Sequence, residues 1–227
     1  MEDFVHLHVH SQYSLLDGQS SISRMVDKAV KNGMKGMALT DHGNMFGIKE
    51  LFDYCSKINK GRKKEGLESF KPIFGCEVYV ARRGKEEKTD KKLDLSGNHL
   101  ILLAKNFHGY QNLIQLVSRA WVDGFYGRPR TDHADIERFH EDLICCSACI
   151  AGEVPRKILN GDIEGARKSI EWFKGIFGED YYLELQRHEV KNPQIRANRE
   201  TFPLQQEANK VLIELAHEYG VKLICSN

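Results

Sequence analysis

Apolar residues recur at helical spacing in four stretches of the chain. Ile22, Met25, Val26, Ala29 and Val30 form an i, i+3, i+4, i+7, i+8 stripe that stops at Gly33. Tyr110, Leu113, Ile114, Val117 and Trp121 form a second, with Asn106 placed to cap it. Ile163, Ala166, Ile170 and Phe173 follow Asp162 as a third. Ala208, Val211, Leu212, Leu215 and Ala216 make a fourth that ends at Gly220. A weaker pattern predicts one more helix from Phe46 to about Lys60.

Between them lie seven short β-like runs, at residues 4–10, 35–41, 72–81, 99–105, 143–148, 181–186 and 221–226. Alternating strand and helix signals predict parallel pairing through helical crossovers. Such strands fit either an open doubly wound sheet or a closed barrel, and periodicity does not separate the two. Two segments interrupt the alternation. RRGKEEKTDKKLDLSGN (82–98) is charged and has no core pattern, so it is expected to be a solvated loop. GFYGRPRTDHADIERF (124–139) sets aromatics beside Arg128 and Arg130, as an ordered structural loop or as one that touches phosphate.

Composition narrows the class. A chain of 227 residues, 41% hydrophobic and 29% charged, is long enough to bury one sizeable α/β core. Its formal charge of +1 excludes whole-surface attraction to nucleic acid, so any such contact must be local. The six cysteines are unevenly spread through a domain that needs no staples, so no disulfide framework is expected. Glu2 and Asp3 open the chain without a basic region or a long apolar run. No stretch approaches the ~20 apolar residues of a membrane span. A cytoplasmic setting without membrane partners is expected.

The first run, FVHLHVH, is unusual because His6, His8 and His10 occupy alternate positions. Residues i and i+2 of a strand share a face roughly 6–7 Å apart, so two imidazoles can converge on one divalent ion. Sites on parallel sheets form at strand C-terminal ends. His8 and His10 end the first run, with Asp17 in the following loop; His42 follows the second, Glu77 lies within the third and Cys149 follows the fifth. Glu77 has two oxygens with which to bridge neighbouring ions, an arrangement suited to phosphoryl transfer. His99 begins its run and fits this rule less well. His6, deeper along the strand, is read as packing.

Cys146 and Cys149 form a C-x2-C without a second such pair, and Cys146 is read as a core residue. His108, His133, His140 and His217 are read as surface positions without partners. His188, just after the sixth run, is a candidate for supporting the site or touching substrate, as are Arg128 and Arg130.

The stretches FVHLHVHSQYSLLDG, MALTDHGNMFG, KPIFGCEVYVA, NHLILLAKNFHGYQNLIQLVSRA, GFYGRPR and YYLELQRH together resemble the PHP (polymerase and histidinol phosphatase) domain, in the branch that begins bacterial DNA polymerase III alpha subunits. The resemblance implies a distorted seven-stranded (β/α) barrel with two to three divalent ions, zinc, manganese or iron, at its C-terminal mouth. It implies that His8 and His10 hold one metal, with Glu77 bridging to a second that His99 and Cys149 complete, and that Asp17 and His42 serve a third. It also implies an Asn-Asp-x-His motif after the last strand, of which only Asn227 is present. Residues 1–227 are therefore expected to be a single PHP domain, the N-terminal piece of a longer polymerase cut before its last ligand motif.

Implied partners of that parent are DNA, deoxynucleotides, magnesium and other replisome subunits. The implied activity of the domain is phosphoester hydrolysis of the 3′→5′ exonuclease or pyrophosphatase type. A free-standing phosphatase of the same fold and an inactive, metal-braced structural module are the alternatives.

Overall fold

A computed structural model describes residues 4–226 except Leu16 and Pro193. In chain order the main elements are α1 (Ile22–Lys31), β1 (Gly36–Leu39), α2 (Ile48–Lys64), β2 (Lys71–Val80), α3 (Lys91–Asp94), β3 (Asn98–Ala104), α4 (Phe107–Val122), β4 (Arg130–Thr131), α5 (His133–Phe139), β5 (Leu143–Cys146), α6 (Glu153–Leu159), α7 (Ile163–Phe177), β6 (Tyr181–Gln186), α8 (Phe202–Tyr219) and β7 (Lys222–Ser226). The five helices expected from periodicity are α1, α2, α4, α7 and α8. Asn106 caps α4 by accepting from the Gly109 N–H at 3.0 Å, and Asp162 caps α7 through Gly165. Gly220 ends α8 in the left-handed conformation.

The strands form one mixed sheet in the order β1-β2-β3-β5-β6-β7, with β4 beside β2. Its two faces are separated by the period of two. Cys76, Val78, Val80, Leu100, Leu102, Cys145 and Leu183 face outward into the helix-packed core. Ile101, Leu103 and Cys146 face inward, with Ile73, Ile144, Tyr182 and Ile224 against them. The sheet curls enough that His8, beside the β1 edge, touches Glu184 on β6 at 2.8 Å. It is a curled half-barrel of the expected barrel class.

Two expectations change here. Residues 4–10 form no named strand. Only His6 bridges to Met37, and the Val9 N–H goes to the Thr40 hydroxyl instead of a backbone carbonyl. The segment is an extended arm along β1. Nor are the strands all parallel: β3 is antiparallel to both β2 and β5. The stretch between β2 and β3 holds one short turn of helix, α3, and no crossover, so the chain re-enters the sheet at the end it left.

That connecting stretch is mostly solvated, as expected, but it is pinned by buried charges. Lys85 is buried in an ion pair with Asp135. Arg83 grips the buried Asp94 with two hydrogen bonds, at 3.1 and 2.6 Å. Arg130, fully buried, donates to the Gly124, Glu87 and Lys85 carbonyls at 3.0, 3.0 and 2.8 Å. It braces the 82–98 and 124–130 loops, which corrects its reading as a substrate contact.

Another buried charge ties α6 to its neighbours. Glu153 accepts from Ser169 at 2.5 Å and Lys157 at 2.9 Å, and lies 3.0 Å from the His133 ring. His133 also stacks on Trp172 at 4.1 Å, so it has partners after all. Burial works against the Glu153 charge but is outweighed by His133, Ser169 and Lys157, which hold its pKa at about 2. A depressed carboxyl adds stability above its unfolded pKa and loses it as pH falls toward the folded value. Glu153→Gln is expected to cost about 2 kcal/mol at neutral pH. The gap from the parent should narrow between pH 4.5 and 2. Urea unfolding at pH 7 and pH 3 checks this; an equal gap at both would contradict it.

Candidate metal centre

Glu77 lies on the inward face of β2 with 1% exposure, and four imidazoles surround it. Its Oε2 is 2.7 Å from His10 Nε2, 3.0 Å from His42 Nδ1 and 3.3 Å from His8 Nε2. Its Oε1 is 2.7 Å from His99 Nδ1. The four rings arrive from three parts of the fold. His8 and His10 come from the arm along β1. His42 follows β1 and bridges to Glu77 in parallel register. His99 opens β3 opposite Tyr79, while Glu77 pairs with Ile101, so His99 and Glu77 are diagonal neighbours. The antiparallel course of β3 brings its N-terminal end, with His99, to the end where β2 and β5 finish. This removes the positional difficulty that His99 presents in the sequence.

The cluster extends in two directions. Asp17 Oδ2, half exposed, lies 2.8 Å from His42 Nε2 and 3.5 Å from His10 Nδ1. On the opposite side, Cys149 Sγ is 3.6 Å from His99 Nδ1 and 3.9 Å from Glu77 Oε1. Ala148, with φ of 61°, turns the chain through the left-handed region just before Cys149, a local cost of about 1–2 kcal/mol for a residue with a Cβ.

Three overlapping triads have ligand atoms within 4.8 Å of one another: His8, His10 and Glu77; His10, Asp17 and His42; and His42, Glu77 and His99. The triads take in six of the seven candidate ligands, with His10, His42 and Glu77 each in two of them, and Cys149 lies outside the triads against His99 and Glu77. Asn227 lies outside the described residues.

Two carboxylates that sequence reading missed organise the ligands. Glu184, 2% exposed on β6, accepts from His8 Nδ1 at 2.8 Å and from Gln186 at 3.1 Å, and Ser226 also donates to it. This fixes the His8 tautomer and turns Nε2 toward Glu77. Asp41 accepts from the Ser11 N–H at 2.6 Å, the Ser11 hydroxyl at 2.8 Å and the Ser14 hydroxyl at 2.7 Å. It thereby holds the loop between His10 and Asp17 against His42. Each had a sequence signal: an acid on the inward period of YYLELQ, and an acid beside His42 with two serines available in the preceding loop.

The remaining candidates sit around the rim. His188 receives both a backbone and a ring contact from Gln205, at 2.8 and 2.9 Å. Burial and the nearby charge of His8 lower its pKa. Arg128 places its guanidinium 5.8 Å from the Tyr79 ring centroid, and Tyr79 stacks on His42 at 5.9 Å. Arg128 is thus one ring removed from the cluster.

The donor set fits divalent metal. His10 Nε2, His42 Nδ1 and Glu77 Oε2 are buried and make no hydrogen bond among the described residues. Burial opposes ionisation of Glu77, but the four imidazoles outweigh it and hold its pKa well below the usual carboxylate range. Burial likewise pulls His8 down, yet Glu184 and Glu77 lift it to about 10. Burial first, then the Glu77 charge, raises Cys149 to about 12. A cage of imidazole nitrogen, carboxylate oxygen and thiol sulfur suits zinc, manganese or iron.

The PHP domain family model matches residues 6–188, and the chain belongs to that family. Within it, the chain is 46% identical over 224 residues to the DNA polymerase III subunit alpha of Borreliella burgdorferi, and 40% identical over 225 residues to that of Treponema pallidum. Each alignment spans 99% of this chain but only 18% and 17% of the respective relative. A solved amidohydrolase structure from Chromobacterium violaceum aligns over 98% of this chain and 86% of its own, at TM-score 0.44 and 14% identity. That likeness adds nothing to the topology already described. Among the described residues no helix is long and apolar enough to cross a membrane.

Glu184 is open to a direct test. Glu184→Gln removes no first ligand but frees the His8 ring, and metal affinity should fall about 10- to 100-fold. Competition against a chromogenic chelator measures it; an unchanged affinity would mean that Glu184 does not orient His8.

Proposed function

We propose that the chain is the N-terminal PHP domain of a bacterial replicative DNA polymerase III alpha subunit, and that its histidine cluster is a metal-dependent phosphoesterase centre. The observation that carries this is the buried Glu77 carboxylate within 3.3 Å of four imidazoles, with its Oε2, His10 Nε2 and His42 Nδ1 buried and unbonded. His8, His10 and Glu77 would hold one ion, Glu77, His99 and Cys149 a second, and Asp17 with His42 a third. When bound, such ions offset charge on the attacking and leaving oxygens of phosphoryl transfer and acidify a water.

The chain's own groups do the rest. Glu184 keeps the His8 Nε2 lone pair directed at the centre. Asp41 holds Ser11 and Ser14 so that Asp17 and His10 meet His42. Arg128 supplies a fixed positive charge at the rim for a phosphate oxygen. Together they favour hydrolysis of a phosphodiester from a 3′ end, or of pyrophosphate. In the same reading the parent synthesises DNA from deoxynucleotides with magnesium, in the cytoplasm, beside other replisome subunits.

Hydrolysis of bis(4-nitrophenyl) phosphate and of a 3′-labelled oligonucleotide, after loading with manganese or zinc, tests the proposal. His8→Ala and Glu77→Ala should each reduce the rate roughly 100- to 1000-fold, the scale for removing one electrostatic contributor to a transition state. Metal retained without hydrolysis would favour a structural module. Activity that survives both substitutions would come from a contaminant.

A further inference from the structure

At the end of the sheet where β2 finishes and β3 begins, a cavity of about 600 Å3 opens toward α5 and α6, and none of the cluster's ligands lines it. Its walls join it to the centre through the backbone. Asn98 immediately precedes His99, and Gly152 bridges to His99 and accepts the Arg156 N–H at 3.0 Å one turn into α6. Four cationic side chains line it: Arg82, Arg83, Arg156 and Lys157.

Most of the surrounding charge is already committed. Arg83 is clamped to Asp94. Lys157 and His133 share Glu153, which also accepts from Ser169. Asp132 caps α5 through the Asp135 N–H at 3.0 Å and accepts from the Lys85 N–H at 3.3 Å. Two guanidiniums are left over. Arg82 makes a single hydrogen bond, to the Lys92 carbonyl at 3.2 Å. Arg156 makes no side-chain hydrogen bond or ion pair among the described residues. Burial, and then the like charge of Arg82, push the Arg156 pKa below the ordinary arginine range. An arginine cannot escape that cost by losing its proton, so an anion bound between the two would relieve it. Asn98 lines the same cavity at 7% exposure with its Oδ1 unbonded. Its amide can offer a donor or an acceptor after a half-turn.

We propose that this cavity seats the internucleotide phosphate next to the scissile one in a single-stranded nucleic acid, held by Arg82 and Arg156. The inference rests on the phosphoesterase reading and names its substrate class. A substrate with one phosphate, placed at Glu77, would leave both arginines without a counterion. The cavity has room for a nucleotide unit rather than an anion alone. Guanidiniums grip phosphate through paired N–H donors, and Asn98 is left for the sugar or base.

Arginine-selective modification with phenylglyoxal tests the seat in the full chain without any turnover. Peptide mass spectrometry reads Arg82 and Arg156, with Arg167, paired to Glu218, as the internal control. A phosphorothioate-linked single-stranded dT oligonucleotide should slow modification of Arg82 and Arg156 several-fold and leave Arg167 unchanged. Inorganic phosphate at the same concentration should protect neither. Absence of protection overturns the seat, and equal protection by inorganic phosphate overturns its assignment to nucleic acid.

In hydrolysis, Arg82→Gln and Arg156→Gln should each flatten the log–log salt dependence of the oligonucleotide KM by about 0.7. They should also lower kcat/KM for the oligonucleotide relative to bis(4-nitrophenyl) phosphate. Unchanged salt slopes in both variants would again count against the seat. If the unmodified chain hydrolyses nothing, the phosphoesterase reading fails, and the protection experiment still judges the cavity by itself.

Discussion

A carboxylate with 1% exposure on the inner face of a curled sheet is the constraint on which this structure turns. Removing an ionised group from water costs several kcal/mol even after relaxation, so Glu77 can stay charged only if its neighbours offset that loss. Four imidazoles do so. Their own orientation in turn requires Glu184 behind His8 and Asp17 behind His42. The result is a nested arrangement in which acids and rings alternate outward from β2. Such an arrangement suits exchange of protons for divalent ions, because ligands of this kind must be deprotonated to coordinate.

The inner face of the sheet is divided lengthwise. At one end it carries Glu77, His99, Glu184 and Gln186. At the other, Ile73, Leu103, Ile144, Tyr182 and Ile224 line an apolar cavity of about 870 Å3. Size alone would direct attention to the larger hollow, yet the titratable groups sit at the polar end. Around that end the cations are unevenly deployed. Arg130 is spent on loop carbonyls, Arg128 stands over Tyr79, and Arg82 and Arg156 face a cavity without an ion-pair partner among the described residues.

The charged 82–98 stretch matters for the same reason. It reverses the chain, so that β3 enters the sheet where β2 leaves it and His99 lands beside Glu77. The reversal is secured by buried pairs, Lys85 with Asp135 and Arg83 with Asp94, and by Arg130 reaching back to the Lys85 and Glu87 carbonyls. Composition marked this segment as mostly solvated, because lysine, glutamate and aspartate are usually exposed. Which of those charges have partners cannot be seen in a linear run, since Asp135 is fifty residues from Lys85.

The sequence by itself determined the five longest helices, through stripes of period 3.6 and the caps at Asn106 and Asp162, but not the short α3, α5 and α6, and it determined most strands through runs of β-formers. It also displayed His8, His10 and His42 as metal-capable groups at strand ends, because that signal needs only local periodicity and residue type. The tertiary structure decided the rest. Strand direction depends on how the chain returns between β2 and β3, and this turned His99 from a misfit into a neighbour of Glu77. The supporting acids Glu184 and Asp41 act across 176 and 30 residues, on His8 and Ser11 respectively, distances at which no pattern along the chain encodes a contact. Hydrogen bonds and ion pairs between distant residues exist only once the sheet has curled, and they divide otherwise similar arginines into a brace and a free cation.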